Sequence, residues 1–280
     1  MLLGFLEEYI FGFSKFKGRS VLYVCNEGSP IRTGQIYVED LYDVLDGILY
    51  SAATGNCSVR RSIQPRLGDI NTVPEVIAVS LDIDAEVFSV AKKLAAMAAD
   101  IIKALGAQPL VVFTGGKGYA VLTYLSEEYR QIGEQTYKAL AEALREPLPE
   151  AATVEIPPIK GLVKVPFTRH EKTKNLVLLY DPERDKHIDD VQEATDALLK
   201  AEDSPLPYIE RLVEKKEEER KPPAAVFEPA DVKNGYGYLE RLWADPSKLN
   251  DCLKRAAILI ALYKGRDEES ALAAAQDFLR

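Results

Sequence analysis

Val76–Asp84 reads VIAVSLDID, and the fold turns on how that stretch is taken. It is apolar for most of its length, which predicts a strand buried on both faces near the middle of a sheet. It ends in Asp82-Ile83-Asp84, and side chains two apart on a strand point to the same face. Two carboxylates on one face repel and raise each other's pKa, a cost to stability unless a cation lies between them. Hard oxygen ligands suit Mg²⁺ or Mn²⁺, which bind through one or two carboxylates together with substrate phosphates. The alternative is a strand that ends in polar residues, with Asp84 as N-cap of the next helix.

Working outward, the flanks alternate between strand and helix patterns. Ser20–Asn26 (SVLYVCN) is a β-branched and aromatic run that predicts a strand. Val38–Ala53 has apolar residues at helical spacing with acids on the other face, and predicts a helix. Asn56–Asp69 (NCSVRRSIQPRLGD) is polar, turn-rich and locally basic. Ala85–Leu105 predicts a long helix closed by Gly106, and Ser126–Arg145 another with Ser126 as N-cap. Between them, Leu110–Thr114 and Tyr119–Tyr124 read as strands joined by Gly115-Gly116-Lys117-Gly118. Thr153–Ile156 reads as a further short strand. Residues 183–220 look helical and end in the charged run Glu214–Arg220, followed by Pro222-Pro223. The organisation expected is an α/β (α+β) domain with a mixed sheet over residues 1–212, a solvated linker over 213–233 and a small helical module over 234–280.

Composition narrows the function. The chain has 280 residues, 47% hydrophobic and 28% charged, as an ordinary globular protein does. No apolar run reaches the roughly 18 residues of a membrane helix. The apolar start carries Glu7 and Glu8 and reads as an amphipathic helix, not a secretory signal. Cys25, Cys57 and Cys252 are scattered, which argues against a disulfide framework or a cysteine-rich zinc site and fits a reducing cytoplasm. His170 and His187 are the only histidines, so chemistry that needs a histidine cluster is nearly excluded. A net charge of −9 means that any nucleic acid or nucleotide must be held by local basic patches or bound metal.

Two further stretches carry chemistry. In Phe113-Thr114-Gly115-Gly116-Lys117-Gly118-Tyr119, three glycines in four residues let backbone N–H groups converge on an anion. Lys117 adds a charge there and Thr114 a hydroxyl. The spacing is not that of a Walker P-loop, and a plain glycine-rich hairpin with one exposed Lys is the alternative. In Lys164–Thr173 (KVPFTRHEKT), an extended backbone would put His170 and Lys172 on one face, both able to reach a phosphate. A polar loop with a surface His is the alternative. Glu155 lies upstream on the short strand, where it could add a third carboxylate.

Taken in order, DID, FTGGKGY and VPFTRHEKT resemble the three motifs of the archaeo-eukaryotic primase (primase-polymerase) superfamily, in its archaeal, plasmid and viral forms. The resemblance covers roughly residues 40–180, and the tail around Tyr238–Leu242 and Lys254-Arg255 also looks like the helical modules of such proteins. It implies a DNA-dependent nucleotidyltransferase that makes or extends primers by two-metal phosphoryl transfer. Asp82, Asp84 and Glu155 would hold Mg²⁺ or Mn²⁺, and Thr114, Gly115, Gly116, Lys117 and Gly118 would lie along the triphosphate. His170 and Lys172 would contact phosphates or sugar, with His170 counted among the catalytic residues. Single-stranded DNA template would run along Arg60, Arg61 and Arg66, held by an attraction that weakens with salt; a solvated loop is the alternative for these arginines. The partners implied are nucleoside triphosphates, template DNA, and a primase large subunit or helicase, with no membrane. Two departures stand out: Ala120 replaces the second motif's His, and Lys164 stands where many members have Arg. Ala120 favours a different reading, a non-catalytic primase-like subunit that binds nucleotide, DNA or partners. An unrelated α/β phosphohydrolase would share the paired aspartates but leaves the later motifs unexplained.

Overall fold

The computed structural model describes residues 1–149 and 153–207. The expected linker and C-terminal helical module, with Cys252, lie outside the described residues. Helix α1 (Leu2–Phe11) leads into β1 (Arg19–Cys25), β2 (Gly34–Val38), α2 (Tyr42–Thr54) and β3 (Cys57–Ser62). Then follow β4 (Ala78–Asp84), α3 (Phe88–Ala104), β5 (Leu110–Phe113), β6 (Gly118–Tyr124) and α4 (Glu134–Arg145). The last described elements are β7 (Thr153–Glu155), β8 (Leu162–Lys164), β9 (Leu178–Asp181), β10 (Lys186–Ile188) and α5 (Val191–Asp203).

The fold is α+β, with two sheets. One has the strand order β2-β1-β3-β8, the other β10-β9-β5-β6-β4-β7. Every ladder among the described residues is antiparallel, where the sequence suggested one mixed sheet; a lone parallel bridge joins Leu125 to Leu206. The VIAVSLDID stretch lies inside the six-stranded sheet, flanked by β6 and β7. Its alternation divides the molecule. Val79, Leu81 and Ile83 join a core with Leu94, Ala98 and Ile102 of α3 and Leu140 and Leu144 of α4. From the other face, Ala78 joins a second core that includes Val112 and Leu122, Val21 and Val59 of the smaller sheet, and residues of α1 and α5.

Four local readings change, each for a physical reason. Val38 ends a strand paired with Arg19, and the helix starts only at Tyr42, whose N–H bonds to Asp40 Oδ1 at 2.8 Å. The basic stretch after Asn56 is strand β3, because tertiary pairing to β1 and β8 on both sides outweighs its polar composition. After Ser126 comes a short 3₁₀ turn, and the helix proper begins after Gly133. Residues 183–190 turn and form half of a hairpin before α5, which Asp190 caps by accepting from Glu193 N–H at 2.8 Å. The cysteine reading also changes. Antiparallel register sets Cys25 directly opposite Cys57, and the two are disulfide-bonded, so this pair gives no sign of a reducing compartment. Among the described residues no helix is long and apolar enough to cross a membrane.

Candidate functional site

The acidic wall comes first. Register sets Val112, Ala120, Asp82 and Glu155 abreast across β5, β6, β4 and β7. Residues abreast share a face, so Glu155 lies beside Asp82, on the side where Asp84 also points. Ile83, between the aspartates, is fully buried in the opposite core. Gly118 faces Asp84 across the ladder, and a Cβ there would collide with Asp84 Oδ1 and the Ile83 carbonyl. Tyr119 turns into the helix-covered core while Ala120 lines the groove. Burial, then the charges of Asp84 and Glu155, push the Asp82 carboxyl up to about 6, against the opposing pull of Arg60 and Lys164.

The second wall is the glycine turn with the 169–176 loop laid against it. Gly115 has φ +77°, and a Cβ on it would lie 2.9 Å from His170 Cβ. A Cβ on Gly116 would lie 3.1 Å from His170 Nε2. Both glycines therefore let the histidine approach the turn, and Thr173 Oγ1 donates to the Gly115 carbonyl. Thr114 Oγ1 is committed within the turn, donating to the Gly118 carbonyl at 3.0 Å.

The histidine segment is not extended. His170 N–H bonds to Asn175 O and Lys174 N–H to His170 O, both at 2.9 Å, which folds the segment back on itself. Even so, His170 and Lys172 both line the groove. His170 Nδ1 accepts from the backbone N–H groups of Lys172 at 3.1 Å and Thr173 at 3.4 Å. A ring nitrogen that accepts carries no proton, so Nε2 holds the hydrogen and faces the glycine turn. Burial, then the charge of Lys164, hold the imidazole pKa below its usual value, with Glu171 opposing. Arg169 and Lys174 serve α2 instead: Arg169 Nε donates to Ala52 O and Lys174 Nζ to Gly55 O, each at 2.9 Å, satisfying carbonyls at the helix's negative end.

The third wall is cationic. Arg60 and Lys164 are partners across β3 and β8, and both line the groove. Lys164 Nζ lies 3.3 Å from Glu171 Oε2, with the two side chains 8% and 9% exposed. Burial brings the Lys164 ammonium down to about 8 despite the pull of Glu171. Burial would raise Glu171, but the nearby Ser58 hydroxyl, its own backbone N–H, Lys164 and His170 outweigh it and hold the carboxyl at about 2. Ser58 Oγ lies close without meeting hydrogen-bond geometry. Glu171 escaped the reading of the sequence because it stands between the His and Lys that drew attention. The signal was there: it is the one acid in the basic run Lys164–Lys174.

Arg61 and Arg66 do not join this wall, which corrects their assignment to the template path. Arg61 is 2% exposed, packs over the Tyr9 ring at 4.6 Å and donates to the Ser62 and Ile63 carbonyls. Arg66 is fully buried and donates to the Gln64, Pro65 and Lys160 carbonyls. Strand alternation is the reason: with Arg60 facing the groove, Arg61 must face the core.

The result is a groove of about 400 Å³ lined by Asp82, Asp84, Thr114, Gly116, Lys117, Ala120, Arg60, Lys164 and residues 170–173. Asp82 and Asp84 come from β4, Arg60 and Lys164 from the four-stranded sheet, and the glycine turn and the 170–173 loop add Lys117 and Lys172. Primase-polymerases generally use divalent metals, and the residues fit one chemically. The oxygens are hard donors, and the Asp82 carboxyl, raised chiefly by burial and then by Asp84 and Glu155, is one whose ionised form a cation would stabilise. As they stand, among the described residues no three His, Cys, Asp or Glu side chains form a ready ligand cluster.

A two-sheet α+β domain with three such motifs around one groove is a primase-polymerase of the archaeo-eukaryotic superfamily. The chain belongs to the LigD primase-polymerase domain family, which matches residues 41–182, just over half of the sequence. No curated protein matches the chain. Among solved structures it is similar to the catalytic domain of primase RepB′ in complex with initiator DNA, at 12% identity and a TM-score of 0.45, covering 76% of this chain and 91% of that one. It is also similar to the polymerase domain of Mycobacterium tuberculosis ligase D in complex with DNA, at 11% identity and 0.43, covering 75% and 89%. The primase-polymerase domain of cyanophage S-2L matches at 11% and 0.39, covering 69% and 95%. Likeness this distant transfers no residue's role from one chain to another.

Proposed function

We propose that the groove is a nucleotidyl-transfer site that takes a nucleoside triphosphate and a single-stranded DNA template and makes or extends primers. The observation that carries this reading is the convergence of residues from all three motifs on one groove that Arg60 and Lys164 also line. Asp82 and Asp84, with Glu155 beside them, would hold Mg²⁺ or Mn²⁺. Such ions supply charge stabilisation for an attacking 3′-hydroxyl and a departing pyrophosphate. The protein's own groups bind and orient. Lys117 and the turn amides offer cationic and N–H contacts to the triphosphate, and Lys172, Lys164 and Arg60 add charge. His170 donates from Nε2 to a phosphate or sugar oxygen; its tautomer makes it a hydrogen-bond donor and not a proton acceptor. No protein base is needed, in keeping with phosphoryl transfer that runs on positioning and electrostatics. The test is primer synthesis and extension with Mn²⁺ or Mg²⁺, comparing the protein with Asp82→Asn. Activity lost in the variant supports the site, and equal activity in both refutes it.

One observation favours a second reading, a non-catalytic primase-like subunit. Ala120 faces the groove directly opposite Asp82, so the missing imidazole is missing from the site itself. Triphosphate binding without nucleotide incorporation under any metal would select this reading.

A further inference from the structure

Lys164 is the most buried cation of the groove, and its surroundings raise the question of what keeps it there. Its side chain is 8% exposed. Arg60 lies opposite on β3, His170 and Glu171 come from the folded loop, and Asp82 acts on it from β4. The Tyr9 hydroxyl fixes its backbone, donating to Lys164 O at 3.0 Å. Glu171 is the only carboxylate among the described residues within ion-pair distance of its Nζ. That carboxylate does not float: Asn26 Nδ2 donates to the Glu171 carbonyl at 3.0 Å, tying the loop to the end of β1.

We propose that Glu171 is a positioning residue that keeps the Lys164 side chain cationic and aimed into the groove, so that Lys164 can meet the anionic substrate. Burial and the Arg60 charge both act to strip the proton from an ammonium in this place, and Glu171 is the largest influence opposing them. Lysine is the residue type for which this matters, because a buried ammonium loses its proton readily while a guanidinium does not. The contact also sets direction. An ammonium is a compact charge on a flexible stem with no preferred approach, and one fixed acceptor at 3.3 Å gives it one. The inference rests on the triphosphate reading of the groove for its consequence, but not for the ion pair itself.

The experiment has two arms on the full-length protein. In the first, Lys164 is followed by NMR of its ¹³C-labelled side chain across pH, in the protein and in Glu171→Gln, without nucleotide. The expected result is a lower titration midpoint in the variant; an unchanged midpoint overturns the proposal. In the second, the dissociation constant for a nucleoside triphosphate with Mn²⁺ is measured between pH 6 and 9. Losing a hydrogen bond to a charged group corresponds to a roughly tenfold or greater weakening. Glu171→Gln should show it near pH 7.5 and recover toward pH 6, where the ammonium is restored. Glu171→Gln combined with Lys164→Arg should keep its affinity across the range, since arginine holds its charge unaided. A double variant as weak as Glu171→Gln would overturn the proposal by making Glu171 a contact in its own right. If the midpoint shifts as expected and no form binds triphosphate, the ion-pair role stands and the nucleotidyl-transfer reading fails.

Discussion

Replacing Asp82 with Asn should make the metal-free protein more stable, by an amount the site itself sets. In the fold the Asp82 carboxyl titrates at about 6, against 3.8 for an unperturbed aspartate, chiefly through burial and then through Asp84 and Glu155. A folded value above the unfolded one means that the ionised form is disfavoured in the native state. That cost is absent below about pH 4, grows as pH rises toward 6 and is complete above it. At about 1.4 kcal/mol per pH unit, the gap amounts to on the order of 3 kcal/mol. For a domain of this size, 1 kcal/mol moves the melting temperature by roughly 2–4 °C, so Asp82→Asn should melt about 6–12 °C higher at pH 7.5 in chelator. The advantage should shrink to about 0.5 kcal/mol at pH 4, where position 82 is neutral in the fold of both forms and only the unfolded wild type is partly ionised. Added Mn²⁺ should raise the wild-type melting temperature more than the variant's, because a ligand stabilises only the form that binds it. Thermal melts by circular dichroism at the two pH values, with and without metal, decide the matter. Equal melting temperatures at pH 7.5 in chelator, or an advantage undiminished at pH 4, would refute the account of Asp82 as a carboxyl raised by burial and by its acidic neighbours.

Four further outcomes are expected. Ala120→His should tighten triphosphate binding about tenfold to a hundredfold with Mn²⁺, the worth of one hydrogen bond to a charged group, as measured by calorimetry; unchanged affinity would mean that position 120 does not meet the nucleotide. Arg60→Ala should weaken DNA binding and flatten its salt dependence, whereas Arg61→Ala should instead lower stability by about 3 kcal/mol in urea melts, because it strands the Ser62 and Ile63 carbonyls and uncovers Tyr9. Imidazole ¹⁵N NMR should show His170 neutral at pH 7 with the hydrogen on Nε2, since burial and Lys164 lower its pKa and two backbone amides occupy Nδ1. A non-reducing peptide map should recover Cys25 and Cys57 linked, and reduction should cost about 3.7 kcal/mol, the chain-entropy value for closing a loop over a separation of 32 residues.

The paired aspartates were legible because they rest on the simplest rule available, the period of two along a strand whose apolar half announces burial. The glycine turn was legible for a similar reason: few backbones other than a tight turn want three glycines in four residues. What was not legible depended on pairing at long range. Cys25 and Cys57 look unrelated in the sequence and become neighbours only through the β1–β3 register. The second strand of the β9–β10 hairpin was hidden inside a charged stretch whose composition suits a helix equally well.

Arg60 and Arg61 show where the reading failed and what would have mended it. Read as a loop, NCSVRRSI gives two equivalent surface arginines, and both go to the template. Read as a strand, the same letters force them apart, because adjacent side chains face opposite ways. The strand assignment needed β1 and β8 on either side, and no local pattern supplies them. Once it is made, the consequences follow in sequence. Val59 and Arg61 point together into the core, where Arg61 must find carbonyls and an aromatic face in place of water. Arg60 points with Lys164 toward the groove, and two cations held abreast in a half-buried place call for an anion. Glu171 supplies one to Lys164, whereas among the described residues Arg60 Nε has no hydrogen-bond partner. Lys164 is thus paired and still lines the groove with Arg60, near an acidic row in which burial, then Asp84 and Glu155, raise the Asp82 carboxyl. A metal at the acidic row and a phosphate at the cationic residues would relieve such an arrangement, which is the electrostatic support for the metal–triphosphate ligand proposed above.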